Sequence, residues 1–135
     1  MNMAFQIRWA IVVVGLIAIA GCGGGKYDVV PVEGVLTYEG QPVPQMIVSF
    51  KPQGGRASEA TTDENGKFRM QYSIDQYGIE PGPQEISAYW VSPTDDGSVP
   101  PTELQKNVVK YFKKNPPLKV TIEESQKNFE IKLPQ

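Results

Sequence analysis

Few side chains in this sequence can do chemistry, and their types restrict what the protein does. The chain has 135 residues, with one Cys, no His, and 13 basic against 15 acidic side chains. Without His there is no Ser-His-Asp or Cys-His nucleophile system and no imidazole metal ligand. One Cys forms no intramolecular disulfide, thiolate zinc site or iron–sulfur site. The formal charge of −2 argues against a nucleic-acid binder, which usually shows a basic face. Asp63, Glu64 and Asn65 offer oxygens of the kind calcium takes, but the EF-hand spacing is absent and a turn explains all three. No spacing brings two carboxylates to the flanks of one cleft, as glycoside hydrolysis requires. Neither a metal nor a cofactor is expected, and the chain reads as non-catalytic. That leaves the single Cys, which falls at position 22, directly after Ile19, Ala20 and Gly21.

Its surroundings read as an address. Arg8 supplies a positive charge ahead of an apolar run of 12 residues, Trp9 to Ala20. As a helix that run spans about 18 Å, well short of the roughly 30 Å hydrocarbon core of a bilayer. Its length fits the apolar region of a secretory signal peptide instead. Ile19-Ala20-Gly21-Cys22 resembles the bacterial lipobox, with Ile in place of the more usual Leu. In such a motif small residues let a peptidase approach the backbone, and the thiol is the acyl acceptor. The resemblance implies cleavage before Cys22 and a diacylated Cys22, and two acyl chains suffice for stable anchoring. Gly23 follows the Cys where Asp would imply inner-membrane retention. The expected organisation is a signal peptide over 1–21, a tether over 22–28 and a domain over 29–135. Cleavage leaves 114 residues, with 12 basic and 15 acidic side chains. The expected location is an exported chain, lipid-anchored to a bacterial membrane, at the outer membrane or periplasmic face.

The domain is composed of short strands and turns. Val32, Leu36 and Tyr38 recur at even spacing with Gly34 on the same face, and Met46, Val48 and Phe50 alternate in the next run. Ser58–Thr62 and Lys67–Tyr72 flank Asp63-Glu64-Asn65-Gly66, where Asn-Gly signals a hairpin with φ > 0. Phe68, Met70 and Tyr72 share a face, as do Ile86, Ala88 and Trp90. Leu118–Glu123 and Asn128–Leu133 place Val120, Ile122, Phe129, Ile131 and Leu133 inward, with Ser125–Lys127 as the connecting turn. Seven strands with Gly, Pro and Asn punctuation point to an antiparallel β-sandwich. Without a crossover helix after any strand, parallel pairing is not expected. Thr102-Glu-Leu-Gln105 resembles a capping box, so a short helix or arm is expected near 102–113. On it Leu104, Val108, Tyr111 and Phe112 face one way, and Lys106, Lys110, Lys113 and Lys114 the other.

A family resemblance covers most of this domain. Val32 to Pro44 followed by Ile47 to Pro52, and the hairpin Ala60 to Phe68, resemble the carboxypeptidase regulatory-like family. Pro81-Gly-Pro-Gln-Glu-Ile86 is similar to its run into the next strand, with Gln84 where the family has an aromatic residue or His. The resemblance implies a transthyretin-like (prealbumin-like) seven-stranded sandwich without peptidase chemistry, often a rigid module of larger envelope proteins. The expected function is a membrane-anchored structural or protein-interaction module that offers an edge strand or loops to an envelope protein. The alternative is an envelope carbohydrate-binding module that takes a polysaccharide. Its contact residues would be the outward aromatics Tyr77 and Tyr89 with Lys106 and Lys110 of the basic arm; the same residues are the candidates for partner contact.

Overall fold

The computed structural model describes residues 27–134. In chain order these form β1 (Val32–Tyr38), β2 (Gln41–Pro42), β3 (Ile47–Pro52), β4 (Ser58–Thr61), β5 (Lys67–Arg69) and β6 (Gln71–Ser73). Then follow β7 (Gln76–Tyr77), β8 (Gly82–Tyr89), α1 (Glu103–Lys114), β9 (Leu118–Ile122) and β10 (Gln126–Leu133). One sheet runs β10-β1-β2, with β5 also paired to β1; the other runs β7-β6-β4-β3-β8-β9. The fold is an all-β sandwich. Its core is built from the residues that alternate inward: Val32 and Leu36, then Met46, Val48 and Phe50, then Phe68 and Met70, with Ile86, Ile131 and Leu133. Phe50 bridges the layers, with its ring centroid 6.2 Å from Phe68 and 5.7 Å from Phe129.

Strand number and one pairing differ from the sequence-based expectation. Ten strands are present among the described residues, and β1 pairs with β10 in parallel. Local crossover helices are what make parallel pairs visible in a sequence, and here the crossover is nearly the whole domain. The run Lys67–Tyr72 splits at Met70: Lys67–Arg69 pair with β1 in one sheet, while Gln71 pairs with Glu59 of β4 in the other. Met70 donates its N–H to the Val32 carbonyl at 2.9 Å, so the break is still bonded. β10 begins at Gln126 rather than at Asn128, and Glu123–Ser125 carry the chain from one sheet to the other. In the hairpin turn only Gly66 has positive φ (74°). Asn65 does not, because Asp63 Oδ1 accepts from the N–H groups of Asn65 and Lys67 and sets the turn instead.

Two buried features lock the architecture. Thr62 Oγ1 donates to the Val43 carbonyl at 2.7 Å and accepts from the Met46 N–H at 2.9 Å, tying the β2–β3 connection to the end of β4. The helix forms where the sequence places it, one residue later at each end. Thr102 accepts from the Gln105 N–H and Gln105 Oε1 accepts from the Thr102 N–H, a closed capping box. Gln105 then donates through Nε2 to the Pro44 carbonyl at 2.8 Å, and Val108 is buried in the core. Because β9 pairs only with Gly82–Ile86, the remaining part of β8 has no strand on that side, and α1 packs there.

Gly34 is the tightest point. A Cβ added there would collide with the Phe129 carbonyl and lie 2.7 Å from Phe68 Cζ. Gly34→Val is expected to lower stability by about 3 kcal/mol. Urea unfolding checks this, and a midpoint equal to wild type would show that the β1–β10 closure tolerates a side chain.

Candidate functional site

The expected signal peptide with Ile19, Ala20, Gly21 and Cys22 lies outside the described residues, as does most of the expected tether. What the structure provides is the place where the chain enters the domain. Tyr27, assigned to the tether by sequence, is already engaged: its carbonyl accepts from Gln76 Nε2 at 2.7 Å and its ring lies 5.0 Å from that of Tyr72. Val30 and Ile79 then exchange both backbone hydrogen bonds, at 2.9 and 3.0 Å. The contacts of the domain thus already include Tyr27, two residues before Val29.

Strand register fixes which end of the sandwich this is. Pairing sets Phe50, Ser58 and Ile86 abreast at one level and Ile47, Thr61 and Tyr89 abreast at the other. β6 runs antiparallel to β4 with Gln71 opposite Glu59, so the Ile74-Asp75 loop between β6 and β7 projects beyond the Ser58 level. The end that receives Tyr27 thus carries the β6–β7 hairpin, the Gln53–Arg56 turn, Pro81-Gly82 and Glu123–Ser125. At the opposite end lie Pro44, the Asp63–Gly66 turn, the loop over 91–101 and the N-terminus of α1.

Tyr72 is the hub of the Tyr27 end. Its hydroxyl donates to Glu80 Oε1 at 2.9 Å, and the Arg56 guanidinium lies 5.4 Å from its ring centroid. Burial, then the hydrogen bond to Glu80 and the Glu80 charge, push the Tyr72 phenol above its ordinary value. The sequence alternation marked Tyr72 as inward but gave no sign of these partners.

The sequence-selected contact residues are dispersed. Tyr77 is 44% exposed and its ring is covered by the Arg69 guanidinium, 3.7 Å from the centroid. Tyr89 is 39% exposed, and its hydroxyl donates to Glu59 Oε1 at 2.8 Å. Burial and that carboxylate raise the Tyr89 phenol too. Tyr77 and Tyr89 lie on β7 and β8, four strand positions apart in one sheet, which at about 4.8 Å per step is roughly 19 Å. They do not form one platform. Lys106 and Lys110 both project from the exposed face of α1, and Lys106 Nζ is held by Glu103 Oε1 at 3.0 Å.

Gln84 is buried, with Nε2 donating to the carbonyls of Glu80 and Gly82. A concavity of about 830 Å³ lies against β1, β5 and β10, where Glu33, Asp63, Lys67, Arg69, Lys127 and Glu130 mix both signs. Arg69 and Glu33 pair across it at 3.6 Å. Among the described residues no group of three Asp, Glu, Cys or His side chains is placed to hold a metal ion, and no helix is long and apolar enough to cross a membrane.

Neither the known protein-family models nor the curated protein sequences match this chain. Among solved structures it is similar to BcpA, the major pilin subunit of Bacillus cereus, at 16% identity and a TM-score of 0.45. That match covers 78% of this chain and 29% of the pilin, so the chain spans under a third of that protein.

A phenol held above its ordinary value stabilises the fold at lower pH, and the stabilisation is lost as pH rises past the ordinary tyrosine value of 10.0. The thermal midpoint should therefore fall above about pH 10, and Tyr72→Phe should flatten that fall while leaving Tyr89 to contribute the remainder. Parallel pH curves for the two proteins would contradict the role of the Tyr72–Glu80 bond.

Proposed function

We propose that this chain is a lipid-anchored, non-catalytic module of the bacterial envelope, exported by residues 1–21, acylated at Cys22 and acting as a structural or protein-interaction domain. The observation that carries the reading is Ile19-Ala20-Gly21-Cys22 at the end of a 12-residue apolar run, five residues ahead of the point where the fold begins to hold the chain. Tyr27 is 51% exposed, so the described chain begins at the surface of the domain, as a lipid-anchored domain requires. Two acyl chains, at about 0.8 kcal/mol per buried CH₂, hold a domain of this size stably.

The sandwich suits display. β9 and β10 are the outer strands of their sheets on one flank, and their outer backbone groups are open to β-augmentation by a partner strand. Charges of both signs in the concavity and a mature chain with only a small acid excess fit a module that recognises through backbone and shape.

Cys22→Ser should move the protein from the membrane to the soluble fraction and abolish labelling by a radioactive fatty acid. Unchanged partitioning together with an unlabelled wild type would overturn the anchoring.

A further inference from the structure

We propose that the β6–β7 hairpin is a second membrane contact, with Ile74 inserting into the lipid interface and fixing how the domain stands on the bilayer. This rests on the anchoring of Cys22. Ile74 is 95% exposed at the tip of a two-residue loop, where its side chain adds nothing to the core. Hairpin loops favour Gly, Asn and Asp, so an aliphatic β-branched residue there calls for a role outside the fold. Around it stand Tyr27 and Tyr77, both exposed, and the Arg56 and Arg69 guanidiniums stacked on Tyr72 and Tyr77. Amphipathic rings with one wet edge are the side chains that settle at a membrane–water interface.

The tether decides the occupant. Cys22 precedes Tyr27 by five residues, so the fully extended chain reaches about 18 Å. Tyr27 is fixed to Tyr72 and Gln76, within the hairpin's own neighbourhood. The eight residues of β8 measure about 23 Å from Gly82 to Tyr89, more than the tether spans. The acyl chains therefore enter the bilayer beside the hairpin end, and the end bearing α1 and the 91–101 loop is held away. The hairpin end also carries Asp28, Asp75, Glu80, Glu123 and Glu124 against Arg56, Arg69 and Lys127, so it is not a basic patch. Contact must be apolar, and anionic lipid cannot strengthen it. One aliphatic side chain adds little to the attachment that two acyl chains give, but near a surface where the local concentration is already high it is enough to select an orientation.

The test uses the full lipidated chain in phosphatidylcholine vesicles, labelled with an environment-sensitive dye at Asp75→Cys, and at Ser98→Cys in the far loop as control. Acylation leaves Cys22 without a free thiol to compete for the label. The dye at 75 should emit at shorter wavelength than the dye at 98 and be quenched several-fold more by interfacial nitroxide lipids. Adding Ile74→Asp should abolish both differences, and phosphatidylglycerol should not enlarge them. A chain that floats with vesicles but keeps water-like emission at 75 overturns the hairpin contact alone. Failure to float overturns the anchoring and the contact together. A wavelength shift in native membranes without quenching in pure-lipid vesicles assigns the tip to a protein partner and also overturns the lipid contact.

Discussion

The sandwich depends on one close approach. The first and last strands lie side by side in parallel, and at Gly34 the backbone of β1 comes so near the Phe129 carbonyl that no Cβ fits. This pairing spans nearly the whole domain in sequence, from Val32 to Leu133. It also sets the layer spacing in the core. Phe129 reaches Phe50 edge-on and Phe68 stands above Gly34, so three rings from both sheets meet where the missing side chain leaves room.

From that closure the remaining devices follow. A single run from Lys67 to Ser73 serves both sheets by breaking at Met70, which makes a corner without a long loop. Thr62 secures the nearby crossing by satisfying two backbone groups that would otherwise be buried without partners. Gln105 solves the same problem for the helix, completing the cap with one side-chain atom and reaching the Pro44 carbonyl with another. These polar residues sit at one end of the sandwich. The other end is organised by Tyr72, which joins the incoming chain, a carboxylate and a guanidinium around one ring.

Much of this was legible in the sequence, and the illegible parts have a physical cause. Alternation at Met46, Val48 and Phe50 identifies a buried face because side chains in a strand change sides at each residue, and all three are fully buried. The capping box is legible because its hydrogen bonds are local, within three residues. Alternation looks the same in parallel and antiparallel strands, however, so the β1–β10 pairing left no mark. The split at Met70 is likewise silent, because all of Phe68, Met70 and Tyr72 remain buried on either side of the break. Among the contact candidates, exposure of Tyr89 was readable from parity and that of Tyr77 from its apparent place in a loop, where the structure has the short strand β7; their separation across four strand positions belongs to sheet order, which alternation does not encode. Ile74 and Tyr27 escaped notice for a different reason: one gains meaning only from being exposed, the other only from a partner 45 residues away.

The two ends and the open edges bear on one another. β9 descends toward the Tyr27 end and β10 rises away from it, joined there by Glu123–Ser125, so both outer strands occupy one flank. α1 covers the part of β8 that β9 leaves unpaired, which confines the exposed edge of the larger sheet to the half nearer the tether. β10 has the longer edge, at eight residues, and it carries Lys127, Glu130 and Lys132. Charges in such positions discourage indiscriminate strand pairing. An edge that is long and charged favours a strand that supplies matching charges over one that supplies only free backbone groups.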